Sequence, residues 1–112
     1  RIFRFLQFTA KAEAGDRVIR LDISSEDKEN AAGTVYIAAE ENARVTVIEK
    51  FTSGKKAQSD LAFRTKLYAG KNSTIRLIQI NMLDEGQRLL NAVGSVCDET
   101  AKLDVLRCLR QR

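Results

Sequence analysis

Short apolar runs separated by polar turns recur along the chain at near-constant spacing. Residues 35–51 (VYIAAEENARVTVIEKF) show the layout best, because two runs rich in β-branched residues flank the polar tetrad EENA. Residues 67–82 (LYAGKNSTIRLIQINM) and 95–108 (SVCDETAKLDVLRC) repeat it. Alternating runs of this length and composition are typical of β-strands. Each unit therefore predicts a strand, a tight corner and a second strand.

The three units align position by position when Val45, Ile75 and Leu103 are superposed, which sets repeat spacings of 30 and 28 residues. Further matched rows are Val47/Leu77/Val105, Ile48/Ile78/Leu106, Ala43/Ser73/Ala101 and Ala39/Ala69/Cys97. One supersecondary unit repeated at a fixed period is the sequence signature of a solenoid. We therefore predict an all-β fold, a parallel β-solenoid with about one repeat of 28–30 residues per turn, whose strands pair with neighbouring repeats.

The alignment also predicts which side chains form the core. The rows that begin at Val45 and Val47 are expected to face inward, and successive side chains of a strand point to opposite faces. The rows that begin at Thr46 (Thr46/Arg76/Asp104) and at Glu49 (Glu49/Gln79/Arg107) are expected to face solvent. In the first repeat, Ile19 and Leu21 are expected below Val45 and Val47.

Residues 1–11 predict one more strand, and residues 13–16 (EAGD) predict a turn. Polar loops are predicted at residues 24–33, 52–59 and 84–87. Residues 87–96 and 101–112 contain good helix formers, so helices are an alternative to strands there.

The chain of 112 residues, 44% hydrophobic and 30% charged, is long enough for one domain with its own core. No apolar run approaches the roughly 18 to 20 residues that span a bilayer, so a soluble protein without membrane contact is expected. The first residue is not Met, and both ends lie close to strand-like sequence. We expect residues 1–112 to be a single β-helix core domain, part of a longer chain.

The charge pattern gives little support to a nucleic-acid partner. Nineteen Lys and Arg against fifteen Asp and Glu give a net charge of +4, but the charges are interleaved singly through the predicted strands. Such a pattern is typical of solvated sheet faces. The chain also contains no Trp with which to stack bases.

Few residues offer catalytic or metal chemistry. The chain has no His, and its two Cys are not in a CxxC pair, which disfavours a structural zinc site and the Ser-His and Cys-His nucleophile pairs. A carbohydrate-active β-helix enzyme needs carboxylates paired across a cleft. Glu40 and Glu41 are adjacent in a tight turn, where solvated residues are expected. We predict no enzyme, no catalytic residue and no metal site.

Two strings resemble the core of the SufB/SufD family, the scaffold proteins of the SUF machinery for iron–sulfur cluster assembly. They are IAAEENARVTVIEKFTS at residues 37–53 and LYAGKNSTIRLIQI at residues 67–80. The resemblance covers roughly residues 35–108 and implies a right-handed parallel β-helix. It is closer to SufD, because SufB members usually carry a Cys-Thr-Ala-Pro-like step where this chain has Phe51-Thr52-Ser53.

The resemblance implies that the protein acts as a scaffold in the cytoplasm, or in the plastid stroma of a plastid-bearing organism. The implied partners are a SufB-like paralogue, paired through the β-helices, and the ATPase SufC. An iron–sulfur cluster is implied only for the assembled complex and not for this fragment by itself. Two alternatives stay open. One is a homodimer of the fragment, and the other is a generic β-solenoid interaction or filament module that associates through its exposed end rungs.

Cys97 and Cys108 are the candidate thiols, because thiolates hold iron–sulfur clusters. Cys97 shares the small-residue row with Ala39 and Ala69, which favours a small buried hydrophobic residue. Cys108 lies in a row with Lys50 and Ile80, whose orientation the pattern does not determine. Family cluster residues include a histidine, and this chain has none, so no cluster ligand is transferred to it.

Overall fold

The computed structural model describes residues 2–12, 15–25, 31–53, 60–84 and 86–109. The described residues form eight strands: β1 (Ile2–Ala10), β2 (Asp16–Ser25), β3 (Ala31–Ala39), β4 (Arg44–Ser53), β5 (Asp60–Ala69), β6 (Thr74–Met82), β7 (Arg88–Cys97) and β8 (Lys102–Leu109). Parts of the predicted turn and loops, at residues 13–14, 26–30, 54–59 and 85, lie outside the described ranges.

Strands that follow one another in sequence lie in different sheets. The odd-numbered strands form one parallel sheet in the order β1-β3-β5-β7, and the even-numbered strands form a second one in the order β2-β4-β6-β8. Each repeat therefore contributes one strand to each sheet, and its strands pair with those of the adjacent repeats. This arrangement confirms the predicted all-β parallel solenoid.

The predicted register of the last three repeats is confirmed. Val45 pairs with Ile75, and Ile75 pairs with Leu103. The small-residue row also forms, since Ala69 lies between Ala39 and Cys97. The helical alternative for the C-terminal segments is wrong as far as residue 109, because the ladder offered by the preceding strands overrides local helix propensity.

The predicted register of the first repeat is wrong by two residues. Ile19 pairs with Val47 rather than with Val45, and Leu21 pairs with Glu49. A shift of two keeps both side chains on the inner face, so the hydrophobic pattern alone does not distinguish the two registers. The observed one places Asp16 opposite Arg44, where the two side chains form an ion pair at 3.1 Å.

The strand β3 begins earlier than predicted. Residues 31–33 fall within the predicted loop, yet they pair with the start of β1, and Thr34 pairs with Phe5. Small residues have weak strand propensity by themselves. The partner strand supplies the hydrogen bonds that extend β3.

The core lies between the two sheets and consists of inward side chains from stacked strands. Val35, Ile37, Leu67, Ile75 and Leu77 are all fully buried, and each contributes about 1.5 to 3 kcal/mol through burial. Aromatic rings fill the part of the core farthest from the corners. There, the rings of Phe51 and Phe63 meet edge to face with centroids 5.4 Å apart.

The corners stack on one another through backbone and side-chain hydrogen bonds. Asn42 and Asn72 have positive φ values of 65° and 55°, a conformation that Asn tolerates better than most residues. The amide Nδ2 of Asn72 donates to Oδ1 of Asn42 at 2.8 Å. The backbone N–H of Asn42 donates to the carbonyl of Lys71 at 2.9 Å. These corner bonds hold consecutive repeats in register.

Candidate functional site

The core contains a buried group of three polar residues, Glu49 on β4, Thr65 on β5 and Gln79 on β6, which we call the interior polar cluster. Thr65 Oγ1 donates to one carboxylate oxygen of Glu49, and Gln79 Nε2 donates to the other, both at 2.8 Å. Glu49 and Thr65 are fully buried, and Gln79 is 5% exposed. The cluster therefore bridges the two sheets from within.

The inward position of Glu49 corrects the prediction that its row faces solvent. The side chains of β4 alternate, and Val45, Val47, Glu49 and Phe51 all point to the inner face. The two-residue period of a β-strand indicates the inner face for Glu49, because Glu49 is two residues from Val47 and from Phe51. The row partner Gln79 is likewise buried, while Arg107 at the end of the row is exposed.

Burial is the main influence on the titration of this cluster. Removal of the carboxyl group from water raises the pKa of Glu49, and the hydrogen bonds from Gln79 and Thr65 oppose that rise. No cation contributes a hydrogen bond to the two carboxylate oxygens in the described structure. The cluster can therefore take up or hold a proton inside the solenoid, but a single carboxylate is a poor metal site.

A second polar group fixes the chain where it leaves β6. Ser53 Oγ donates to Oε1 of Gln87 at 2.6 Å and accepts from the backbone N–H of Asp84 at 2.8 Å. Gln87 is 8% exposed, and its Nε2 has no hydrogen-bond partner among the described residues. These contacts connect the end of β4 to the segment between β6 and β7, which gives the group a structural role.

The two candidate thiols are exposed and far apart. Cys97 is the last residue of β7, and Cys108 lies near the far end of β8, about 20 Å along that strand from its first residue, Lys102. The row assignment of Cys97 is confirmed, but the expected burial is wrong, because β7 has a strand neighbour on one side only in the described structure.

The other candidate carboxylates form no catalytic pair. Glu40 and Glu41 are both exposed at the corner between β3 and β4. In the described part of the chain, His, Cys, Asp and Glu side chains form no group of three or more that could hold a metal ion. Across the same ranges, no helix is long and apolar enough to cross a membrane.

The strands β7 and β8, whose surface we call the end rung, lie at one end of the two described sheets. Both strands have an unpaired edge within the described residues. Large apolar side chains are exposed there: Leu90, Val96, Val105, Leu106 and Leu109, from 44% to 77%. Unpaired strand edges with apolar side chains favour the addition of another strand.

Comparison with known proteins agrees with this architecture. The family described as SUF system FeS cluster assembly, SufBD core domain, matches residues 21–109. No curated protein and no solved structure matches the chain at a significant level. The matched range begins within β2 and ends with β8, and so includes the interior polar cluster and the end rung. The chain therefore belongs to the SufBD core-domain family of the SUF iron–sulfur cluster assembly system.

Proposed function

We propose that this chain is the core of a SufD-like scaffold subunit, which acts in cluster assembly by pairing with a SufB-like paralogue and, through the complex, with the ATPase SufC. The observation that carries the proposal is the match to the SufBD core-domain family over residues 21–109, a solenoid whose end rung has two strand edges that are unpaired within the described residues. A rigid body with an open edge is suited to holding partners in a fixed geometry.

The environment of Phe51 supports the SufD-like assignment. Phe51 stands where SufB-like sequences usually carry a cysteine step, and here it is fully buried and packed against Phe63. This position therefore serves core packing and offers no thiol to an iron–sulfur cluster.

The chemistry of the described residues supports a role without catalysis. Among the described residues, the two thiols lie on different strands, and the buried carboxylate of Glu49 is enclosed in the core without access to a substrate. An iron–sulfur cluster is the cargo of the assembled complex in this proposal, and this chain supplies shape and partner contacts.

Reconstitution with the SufB-like and SufC homologues of the same organism tests the proposal. The full-length protein should form a stoichiometric complex with them, and Leu109→Lys on the end rung should weaken that complex by about tenfold or more. Val18→Lys is the matched control, because Val18 is an exposed apolar residue at the opposite end of the same sheet. Absence of a complex, or equal loss with both variants, would count against the proposal.

A generic filament-forming solenoid is the second candidate, and the same apolar end rung favours it. In that case the protein would assemble with itself into fibres as its concentration rises. Electron microscopy of the purified protein, with and without the two homologues, separates the candidates.

A further inference from the structure

The outer face of the sheet β1-β3-β5-β7 carries a groove, and of the exposed apolar residues named for the end rung only Leu90 is among its described lining residues. Small residues (Ala32, Ala62 and Ala92) form its floor, and larger residues (Phe5, Tyr36, Arg64 and Leu90) surround them. The groove encloses about 900 Å³, and we call it the outer groove. Its size and small-residue floor suit a rod-shaped ligand, since an α-helix with its side chains is about 10 to 12 Å across.

Apolar side chains of this face are exposed both in the groove, at Phe5 and Leu90, and beside it, at Tyr68. Phe5 is 55% exposed, Leu90 is 51% exposed and Tyr68 is 41% exposed. The ring centroids of Phe5 and Tyr36 are 5.0 Å apart, and those of Tyr36 and Tyr68 are 6.2 Å apart. Because these rings pack on one another across the strands, they form a fixed apolar wall. Contiguous exposed apolar surface of this kind marks interaction sites in soluble proteins.

Basic side chains border the outer groove. Arg64 lines the groove and is exposed, and Lys66 lies two residues along the same strand with its Nζ 5.8 Å from the centroid of the Tyr36 ring. The nearby carboxylate of Asp60 is held by Arg88 at 2.7 Å. Among the described residues around the groove, Arg64 and Lys66 therefore make the net charge positive, and carboxylates on a ligand would complement it.

We propose that the outer groove binds an amphipathic α-helix whose apolar stripe is bordered by Asp or Glu side chains. A second copy of this chain fits less well, because two-fold pairing of the same face would bring the Arg64 and Lys66 side chains of both copies together. A membrane surface also fits less well, because the aromatic rings lie packed along the sheet around a recess. Helix-in-groove recognition needs the recess that the alanines provide.

Two synthetic amphipathic helices of about 18 residues with the same leucine stripe provide the probe. One carries Glu on both sides of the stripe and the other carries Lys. Fluorescence anisotropy with the full-length protein should show that the Glu peptide binds about tenfold more tightly than the Lys peptide or better, with affinity that falls as salt rises.

Variants locate the binding site on the molecule. Arg64→Glu and Ala62→Trp should each weaken binding of the Glu peptide by about tenfold, and circular dichroism checks that both variants keep the strand signal. Arg76→Glu is the control, because Arg76 is an exposed arginine on the other sheet; it should leave the affinity unchanged. Equal binding of the two peptides, or equal loss in Arg76→Glu, would overturn the proposal.

Two further measurements test the alternative ligands, a membrane surface and a second copy of this chain. Binding to phosphatidylserine vesicles that Arg64→Glu abolishes would assign this face to a membrane and overturn the proposal. Self-association that Ala62→Trp abolishes would assign it to a second copy and also overturn it. Because none of these measurements involves the SufB-like or SufC partner, their failure is distinct from failure of the scaffold function.

Discussion

Inside the solenoid, the carboxylate of Glu49 accepts a hydrogen bond at 2.8 Å from the side-chain amide of Gln79, its neighbour on the next strand of the same sheet. The hydrogen bond from Thr65 on the opposite sheet completes the cluster. Because no cation among the described residues bonds to this buried carboxylate, its titration makes the stability of the fold depend on pH.

The pKa of Glu49 is raised above its ordinary value of 4.5 by burial. The folded state therefore binds the proton more tightly than the unfolded state, so the free energy of unfolding should fall as pH rises from 4.5 toward neutrality. Glu49→Gln should remove this part of the pH dependence and raise stability at neutral pH by about 1 kcal/mol. Urea unfolding of both proteins across this pH range measures the effect.

Thr65→Val provides the control for that interpretation. It removes one donor from the carboxylate and should cost about 1 to 3 kcal/mol at neutral pH. The cost should be smaller in the Glu49→Gln background, where no buried charge depends on the hydroxyl group. Equal pH dependence of the free energy of unfolding in the wild type and in Glu49→Gln would show that another group controls it.

The inner face of β6 should be far more sensitive to truncation than the outer face. Leu77 is fully buried between Val47 and Val105 in its row, and Leu77→Ala should lower the free energy of unfolding by about 2 to 5 kcal/mol. Ile78→Ala is the neighbouring control on the half-exposed outer face and should cost about 1 kcal/mol or less. Denaturant unfolding measures both values, and similar losses would contradict the assigned facing.

Gly70 is required at the corner because the preceding repeat leaves no room for a side chain. A Cβ there would lie 2.9 Å from the carbonyl oxygen of Ala39, whereas a Cβ at Gly94 would meet no atom within 4 Å. Gly70→Ala should therefore cost about 1 to 3 kcal/mol, and Gly94→Ala should be close to neutral. Thermal unfolding of the two variants compares them directly, and a neutral Gly70→Ala would mean that the corner adjusts without cost.

Asn72 stabilises its corner in two ways that substitutions can separate. Asn72→Gly keeps the positive φ of 55° without strain but loses the hydrogen bond to Asn42. Asn72→Ala loses the bond and also places a Cβ in the left-handed region, which costs about 1 to 2 kcal/mol. The free energy of unfolding should therefore fall further for the alanine variant than for the glycine variant, and the reverse order would contradict this account of the corner.

The pattern of the sequence predicts the corners and the last three repeats well. Similar residues recur in the rows around Val45, Ile75 and Leu103, and a shift of the alignment would mismatch them. It predicts the first repeat poorly, because inward Ile19 and Leu21 satisfy the hydrophobic pattern in either of two registers. The observed register brings Asp16 and Arg44 together, and single charges are too common in this chain to have indicated that pairing.

The candidate site was harder to predict than the fold. The charges in the row Glu49/Gln79/Arg107 predict an outward row in which unlike charges can pair, whereas the two-residue spacing of Glu49 from Val47 and Phe51 indicates the inner face. Its donors Thr65 and Gln79 come from different strands, so the cluster is recognisable only once both sheets are placed. The outer groove likewise depends on small residues from three strands that lie far apart in sequence.

Native mass spectrometry of the endogenous assembly, purified from the source cells through a tag on this protein, tests the scaffold role most directly. The account predicts a complex that contains this chain together with a SufB-like subunit and SufC, in fixed stoichiometry. Recovery of this chain alone, or only as a ladder of its own oligomers, would contradict it.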